Sequence, residues 1–314
     1  MLENLGALLY VITMLLKALL HKIKVKYPKV KDIFDRLEFE KTIWSNKLYF
    51  GPVMGAKMGR VVRHGYMQKL VELECKRLKS FVAEAPQDDF QYRVLEIGSW
   101  AGGSTITFAE GIKKYNNSKG FVVCIDPWRS FHQEHVEKKS HAVMERALET
   151  GEIFNLFLHN IKFSGLDNLV IPIKGCSRDV LPILKERAFN LIFIDGSHFY
   201  KDVIKDLEMS GELLAEGGIL CGDDLELQVH ELDKSGVESY RDNDSATDQK
   251  TKIAYHPGVT LAVAEFFGKP VSAWKGFWAM RKVSGSDASV GVKWEKVFYE
   301  DLDRGNVSTP KHLI

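Results

Sequence analysis

The sequence predicts an α/β protein: a Rossmann-like, mostly parallel sheet preceded by a helical extension. Three observations carry this. From Arg93 onward, short apolar runs of strand length alternate with amphipathic runs of helical period, the pattern of a parallel sheet. The first of these strands ends in a glycine-rich turn that opens a helix, where backbone can approach a ligand and free N–H groups can meet it. Each polar motif of the region then falls directly after a strand, where ligands of open α/β sheets bind.

Taken in order, the chain begins with a leucine-rich helix over residues 5–20, with Leu5, Leu8, Leu9, Ile12, Leu15, Leu16, Leu19 and Leu20 at helical spacing. It is shorter than the ~20 residues of a spanning helix, and Lys17 interrupts it. Glu3 lies where a signal peptide has its basic region, so no cleaved signal is predicted. Lys22, Lys24, Lys26, Lys29 and Lys31 follow. Two readings are open: peripheral contact with an anionic membrane surface, or packing on this chain or on a partner subunit of a homo-oligomer. Residues 30–90 read as mainly helical, with Gly65–Val82 the clearest helix and 83–89 a polar linker. The predicted division is a helical extension over 1–90, a core domain over 91–285 and a tail over 286–314.

Within the core, strands are predicted at Val94–Ile97, Phe121–Ile125, Val170–Ile173, Leu191–Ile194 and Gly218–Cys221. Helices are predicted at Ser104–Lys114, His135–Glu149, Ile153–Phe163, Arg178–Arg187, Tyr200–Leu214 and Gly258–Phe267. Val271–Trp274 and Phe277–Val283 read as closing strands, and Trp294–Leu302 as a last short helix. The polar stretch 225–255 is long for a loop, and such loops are usually lids or binding loops.

Composition narrows the class. With 314 residues and 45% hydrophobic content, the chain holds one large globular domain plus extra elements. A formal net charge of +1 gives no polyanion-binding character, so no nucleic-acid partner is predicted. Cys75, Cys124, Cys176 and Cys221 form no C-x-x-C pair and read as buried thiols of a reducing, cytoplasmic compartment.

The turn Gly98-Ser-Trp-Ala-Gly102-Gly103 lacks the second glycine of the dinucleotide fingerprint. Glu96, just before it, would repel a pyrophosphate and suits a ligand with a cationic amino-acid end and a ribose. Glu96, Gly98, Ser99, Gly102 and Ser104 are therefore candidate ligand contacts. Asp126, closing the second strand, is placed to accept hydrogen bonds from ribose hydroxyls, and Trp128 and Ser177 to touch a base. Asp195, Asp223 and Asp224 end the fourth and fifth strands. Three acids in one cleft repel unless a cation neutralises them, and oxygen ligands favour a hard ion, Mg²⁺ or Mn²⁺. His198, just past Asp195, is the candidate proton acceptor for a substrate hydroxyl, with His230 and His256 behind it.

Glu96–Ser104, Ile125–Pro127, Ile194–His198 and Gly217–Asp224 together resemble the class I S-adenosylmethionine (SAM) methyltransferases. More narrowly they are similar to the metal-dependent sugar O-methyltransferases of the macrocin and mycinamicin type. The resemblance covers roughly residues 90–285. It implies a seven-stranded sheet with an antiparallel last strand, and SAM held by the glycine loop and Asp126. It also implies Mg²⁺ on Asp195 and Asp223 with Asp224 beside them, and His198 as base. The expected reaction is methyl transfer to a hydroxyl of a sugar or another diol-containing small molecule or glycan. Two alternatives are a hydroxylase-like tailoring relative and a membrane-anchored SAM-fold binding protein. A nicotinamide oxidoreductase is disfavoured by Glu96 and the absent glycine.

Overall fold

The apolar run after Arg93 becomes β1 (Tyr92–Ile97), the middle of an eight-stranded sheet. The computed structural model describes residues 26–56, 61–82, 90–129, 141–233, 237–283 and 293–310. β1 pairs in parallel with β2 (Gly120–Asp126) on one side and β4 (Phe189–Ile194) on the other. β3 (Val170–Lys174) extends the sheet beyond β2, and β5 (Leu214–Leu225) beyond β4, both parallel. Antiparallel β9 (Gly276–Val283) pairs with β5, and its far edge carries β8 (Ser272–Trp274) and β10 (Lys293–Lys296). The strand order reverses at β1, so a crevice opens at the carboxyl ends of β1 and β4.

The central strands are buried on both faces, which is why Val94, Leu95 and Ile97, or Leu191 to Ile194, read as continuous apolar runs without alternation. On one face lies an apolar cluster built with α2 (Val61–Val82), α3 (Gly103–Tyr115), α4 (His141–Glu149) and α5 (Glu152–Ser164). Preceding them, α1 (Pro28–Trp44) adds Phe39 to the same cluster. The opposite face is covered by α7 (Tyr200–Leu213) and α8 (Pro257–Phe267). All four cysteines are buried and unpaired, as expected of core thiols.

The mostly parallel sheet with an antiparallel end is the expected one, with one strand more, eight in all. Two expectations need correction. The helix predicted from Trp294 is instead β10 followed by α9 (Glu300–Asp303). Trp294 is the one buried residue of that strand, packed against Phe266 and Phe267, and three exposed residues out of four leave no apolar helical face. The helix predicted over Arg178–Arg187 shrinks to α6 (Ser177–Val180) and one 3₁₀ turn, Leu181–Ile183, where Pro182 has no N–H to continue it.

The stretch 225–255 is built rather than loose. It contains the antiparallel pair β6 (Ala246–Thr247) and β7 (Ala254–Tyr255), and a small core of Leu227, Leu232, Val237 and Tyr255 against Leu261 of α8. Asp248 holds its turn by accepting from the N–H groups of Asp233, Lys250 and Thr251. The helix predicted over 5–20 and the linker over 83–89 lie outside the described residues. Among the described residues, no helix is long and apolar enough to cross a membrane.

Candidate active site

The loop after β1 is set by its glycines. Gly98 has φ +87°, and a Cβ there would collide with the carbonyl of Asp195, so only glycine lets the ends of β1 and β4 come this close. Glu96 is fully buried beneath the loop. One carboxylate oxygen accepts from the hydroxyls of Ser99 (2.7 Å) and Thr105, while Oε1 is buried without a hydrogen-bond partner. Burial pushes its pKa up, against the hydroxyl bonds from Ser104, Thr105 and Ser99. Asp126 is nearly as buried, and accepts from the N–H groups of Ser99 (3.0 Å), Trp100 (3.0 Å) and Trp128 (2.7 Å). It therefore clamps the glycine loop to the end of β2. The sequence did not suggest this role.

Two predicted base contacts are corrected. Trp128 is 1% exposed, its ring centroid 4.7 Å from those of Phe154 and Phe157 of α5, so it is a core side chain. Ser177 heads α6, hydrogen-bonds Asp206 of α7 and does not line the cavity beside the glycine loop. Burial pushes Asp206 up to about 7, with the Ser177 hydrogen bond opposing. The folded state thus holds this proton more tightly than the unfolded chain. The resulting stabilisation is complete below about pH 4 and is lost as pH rises through 7. Between about pH 4 and 7.5, the wild type should lose about 1–3 kcal/mol more stability than Asp206→Asn. Urea unfolding across that range checks this, and parallel profiles for the two proteins would refute it.

A cavity of about 170 Å³ opens beside the loop. Gly98, Ser99 and Ser104 line it together with Asp195, Asp223 and Arg63 of α2. Glu96, Gly102, Asp126, Trp128 and Ser177 do not line the cavity. A narrower cleft lined by His198 and Asp224 adjoins it and shares Asp195 and Asp223.

The acids do converge, but the reason given for a metal there does not hold. Arg63, 6% exposed, supplies the missing cation. Its Nη1 donates to Asp223 and to Asp224 Oδ1 (3.0 Å), its Nη2 to Glu226 (2.8 Å), and its Nε to the Lys275 carbonyl (3.0 Å). Burial and the neighbouring Asp224 raise Asp223 to about 7 despite Arg63, and its Oδ1 is buried without a partner. Asp195 is held well above the carboxylate range by burial and by Asp223 and Asp224. Among the described residues, these three aspartates do not bring three ligand atoms within 4.8 Å of one another; His198, Asp224 and His256 do. The predicted all-carboxylate set therefore does not fit a Mg²⁺ ion in this arrangement.

His198 does not line the main cavity. Its Nε2 lies 3.0 Å from Asp224 Oδ2 and its Nδ1 2.9 Å from Asp244 Oδ1. Burial works against its charge, but these two carboxylates push it up to about 10. In this arrangement it is a cation rather than a free base. In turn, Asp224 is held well below the usual carboxylate range, against its burial, chiefly by His198. Asp224 also has φ +61°, a left-handed conformation that aspartate tolerates better than most residues. His256 Nδ1 lies 3.1 Å from Glu226. His230 is exposed on the lid, apart from this cluster. Arg63, Glu226 and Asp244 were not foreseen, because no motif marks a residue that reaches a site from a distant helix or lid.

A glycine loop at the switch point of a parallel sheet, beside acids at the neighbouring strand ends, is an arrangement in which open α/β sheets bind ligands. Residues 95–225 match a family model described as a methyltransferase domain. This part of the chain is similar to methyltransferase domains. A curated relative, "Uncharacterized protein R132" of Acanthamoeba polyphaga mimivirus, is 26% identical over 165 residues, 52% of this chain. The chain spans 65% of that relative's length. Among solved structures, the chain is similar to the O-methyltransferase from Bacillus cereus in complex with SAH, at 18% identity, 73% and 83% coverage of the two chains and a TM-score of 0.41. It is also similar to the O-methyltransferase TomG from Streptomyces achromogenes, in complex with SAM, at 16% identity, 71% and 80% coverage and a TM-score of 0.41.

Proposed function

We propose that the protein transfers the methyl group of SAM to a hydroxyl of a small molecule or glycan. One observation carries this reading: the glycine loop and two carboxylates, Asp195 and Asp223, line the same cavity. A methyl donor seated on the loop would face the acids directly. In an O-methyl transfer the O–C bond forms as the C–S bond breaks, the electron pair stays on sulfur, and the hydroxyl proton must leave. Asp223 lines the cavity and its Oδ1 has no hydrogen-bond partner, so its carboxylate is the group we assign to receive that proton. Asp195 beside it offers a second acceptor, so two adjacent hydroxyls of a sugar or other diol could be held at once. This arrangement supports the substrate class that the motif resemblance implies. Near-attack placement follows from rigid walls: Asp126 fixes the loop and Arg63 fixes the acids.

Mg²⁺ on the three aspartates has no part in this reading, because they do not bring three ligand atoms within 4.8 Å of one another. The test is calorimetric titration with SAM, followed by transfer of labelled methyl to a panel of sugar and catechol diols. Asp126→Ala releases the loop and should weaken SAM binding by about 1.5–3 kcal/mol, the scale of hydrogen bonds to a charged group. Absence of SAM binding, or an unchanged affinity in Asp126→Ala, would remove the basis of the assignment.

A further inference from the structure

We propose that His198, His256 and Asp224 bind one divalent transition-metal ion. One ligand atom from each lies within 4.8 Å of the other two. His198 Nε2 and Asp224 Oδ2 are 3.0 Å apart. Two ligands at ~2.0–2.1 Å from one ion, at about 90–110°, stand roughly 2.8–3.4 Å from each other. The imidazole centroids are 4.3 Å apart, with the rings inclined at 53°.

The second, independent observation lies behind the rings. Nδ1 of His198 is bonded to Asp244 at 2.9 Å, and Nδ1 of His256 to Glu226 at 3.1 Å. A carboxylate on one ring nitrogen keeps that proton in place when the other nitrogen gives up its own to a metal. Metal-binding histidines are almost always held this way. Here two neighbouring histidines share the arrangement around a common carboxylate. Asp224 is oriented as well, because Arg63 takes its Oδ1 at 3.0 Å and leaves Oδ2 to His198. The groups arrive from separate elements: His198 after β4, Asp224 in β5, His256 at the start of α8, and Asp244 from the lid.

Two imidazoles and one carboxylate suit Zn²⁺, Fe²⁺ or Co²⁺, whereas Mg²⁺ prefers oxygen ligands and bound water. Three protein ligands leave a position open, and the cleft shared with Asp195 and Asp223 connects it to the cofactor cavity. Binding displaces the proton between His198 Nε2 and Asp224 to solvent. The site does not depend on the methyl-transfer reading.

The test titrates the metal-free full chain with Co²⁺, followed by visible absorption and calorimetry. We expect one Co²⁺ per chain, displaced by Zn²⁺ but not by about a hundredfold excess of Mg²⁺. Asp244→Asn and Glu226→Gln should each weaken Co²⁺ binding by about 10–100-fold. His256→Gln should abolish it, with thermal melting of each metal-free variant showing that it is folded. Three results would overturn the proposal: no Co²⁺ uptake by the wild type, an unaltered spectrum in folded His256→Gln, or Mg²⁺ competing on equal terms. The last would move the ion to the aspartates. Failure to bind SAM would sink the methyltransferase reading alone and leave this result standing.

Discussion

Asp223→Asn should lower the rate of methyl transfer by about 10²–10⁴, the range for loss of a proton-accepting group, with SAM affinity changed by no more than a few-fold. Asparagine keeps the size of the side chain and an oxygen for Arg63, but cannot take a proton. The glycine loop is held by Asp126, and Asp223 takes no part in that clamp. A loss confined to the chemical step is therefore expected. Single-turnover measurement with an acceptor from the diol panel separates chemistry from binding. If the rate is unchanged, the proton goes elsewhere, and Asp195, the other carboxylate lining the cavity, becomes the residue to replace. If both rate and SAM affinity collapse, Asp223 is part of the frame rather than of the reaction.

The meeting of Asp195 and Asp223 was legible in the sequence for a simple reason. Parallel pairing sets Ile97 opposite Ile194 and Ile194 opposite Gly222, so the next residues of β4 and β5 come out side by side. Any reader who places the strands places these acids. Gly98 was legible too, because a glycine between a buried strand and a helix marks a close approach. Trp128 was not. An aromatic residue after a strand has the same spacing whether it faces a cofactor or packs into the core. The phenylalanines that decide the matter, Phe154 and Phe157, lie on a later helix. Arg63 shows the same limit in electrostatic form. Counting charges within motifs suggested an unneutralised acid cluster, but a buried cluster draws its cation from wherever the fold supplies one. Here it came from α2, 160 residues upstream of Asp223. The lid kept Asp244 hidden likewise, since a charged stretch with a small core of its own reads as a solvated loop.

Replacing Arg63 tests that electrostatic frame, and Arg63→Met should cost about 3–5 kcal/mol of stability, the penalty for leaving a buried charge without its partner. Methionine restores most of the apolar volume, so the loss measures charge and hydrogen bonding more than packing. Without the guanidinium, Asp223, Asp224 and Glu226 face one another at side-chain exposures of 12%, 17% and 6%. Among the described residues, His198 and His256 remain hydrogen-bonded beside them. Arg63→Lys keeps the charge but cannot fork between acids that lie on both sides of the guanidinium, and should fall between wild type and Arg63→Met. The decisive comparison is a double variant. If the penalty comes from stranded carboxylates, Asp223→Asn should recover part of the stability lost in Arg63→Met, a coupling of about 0.5–3 kcal/mol for groups in one network. Urea unfolding of the four proteins at one pH gives that coupling directly. A loss below about 1 kcal/mol in Arg63→Met, the scale of an exposed ion pair, would mean that the acids are solvated or protonated in the folded protein and that Arg63 is not what holds them together.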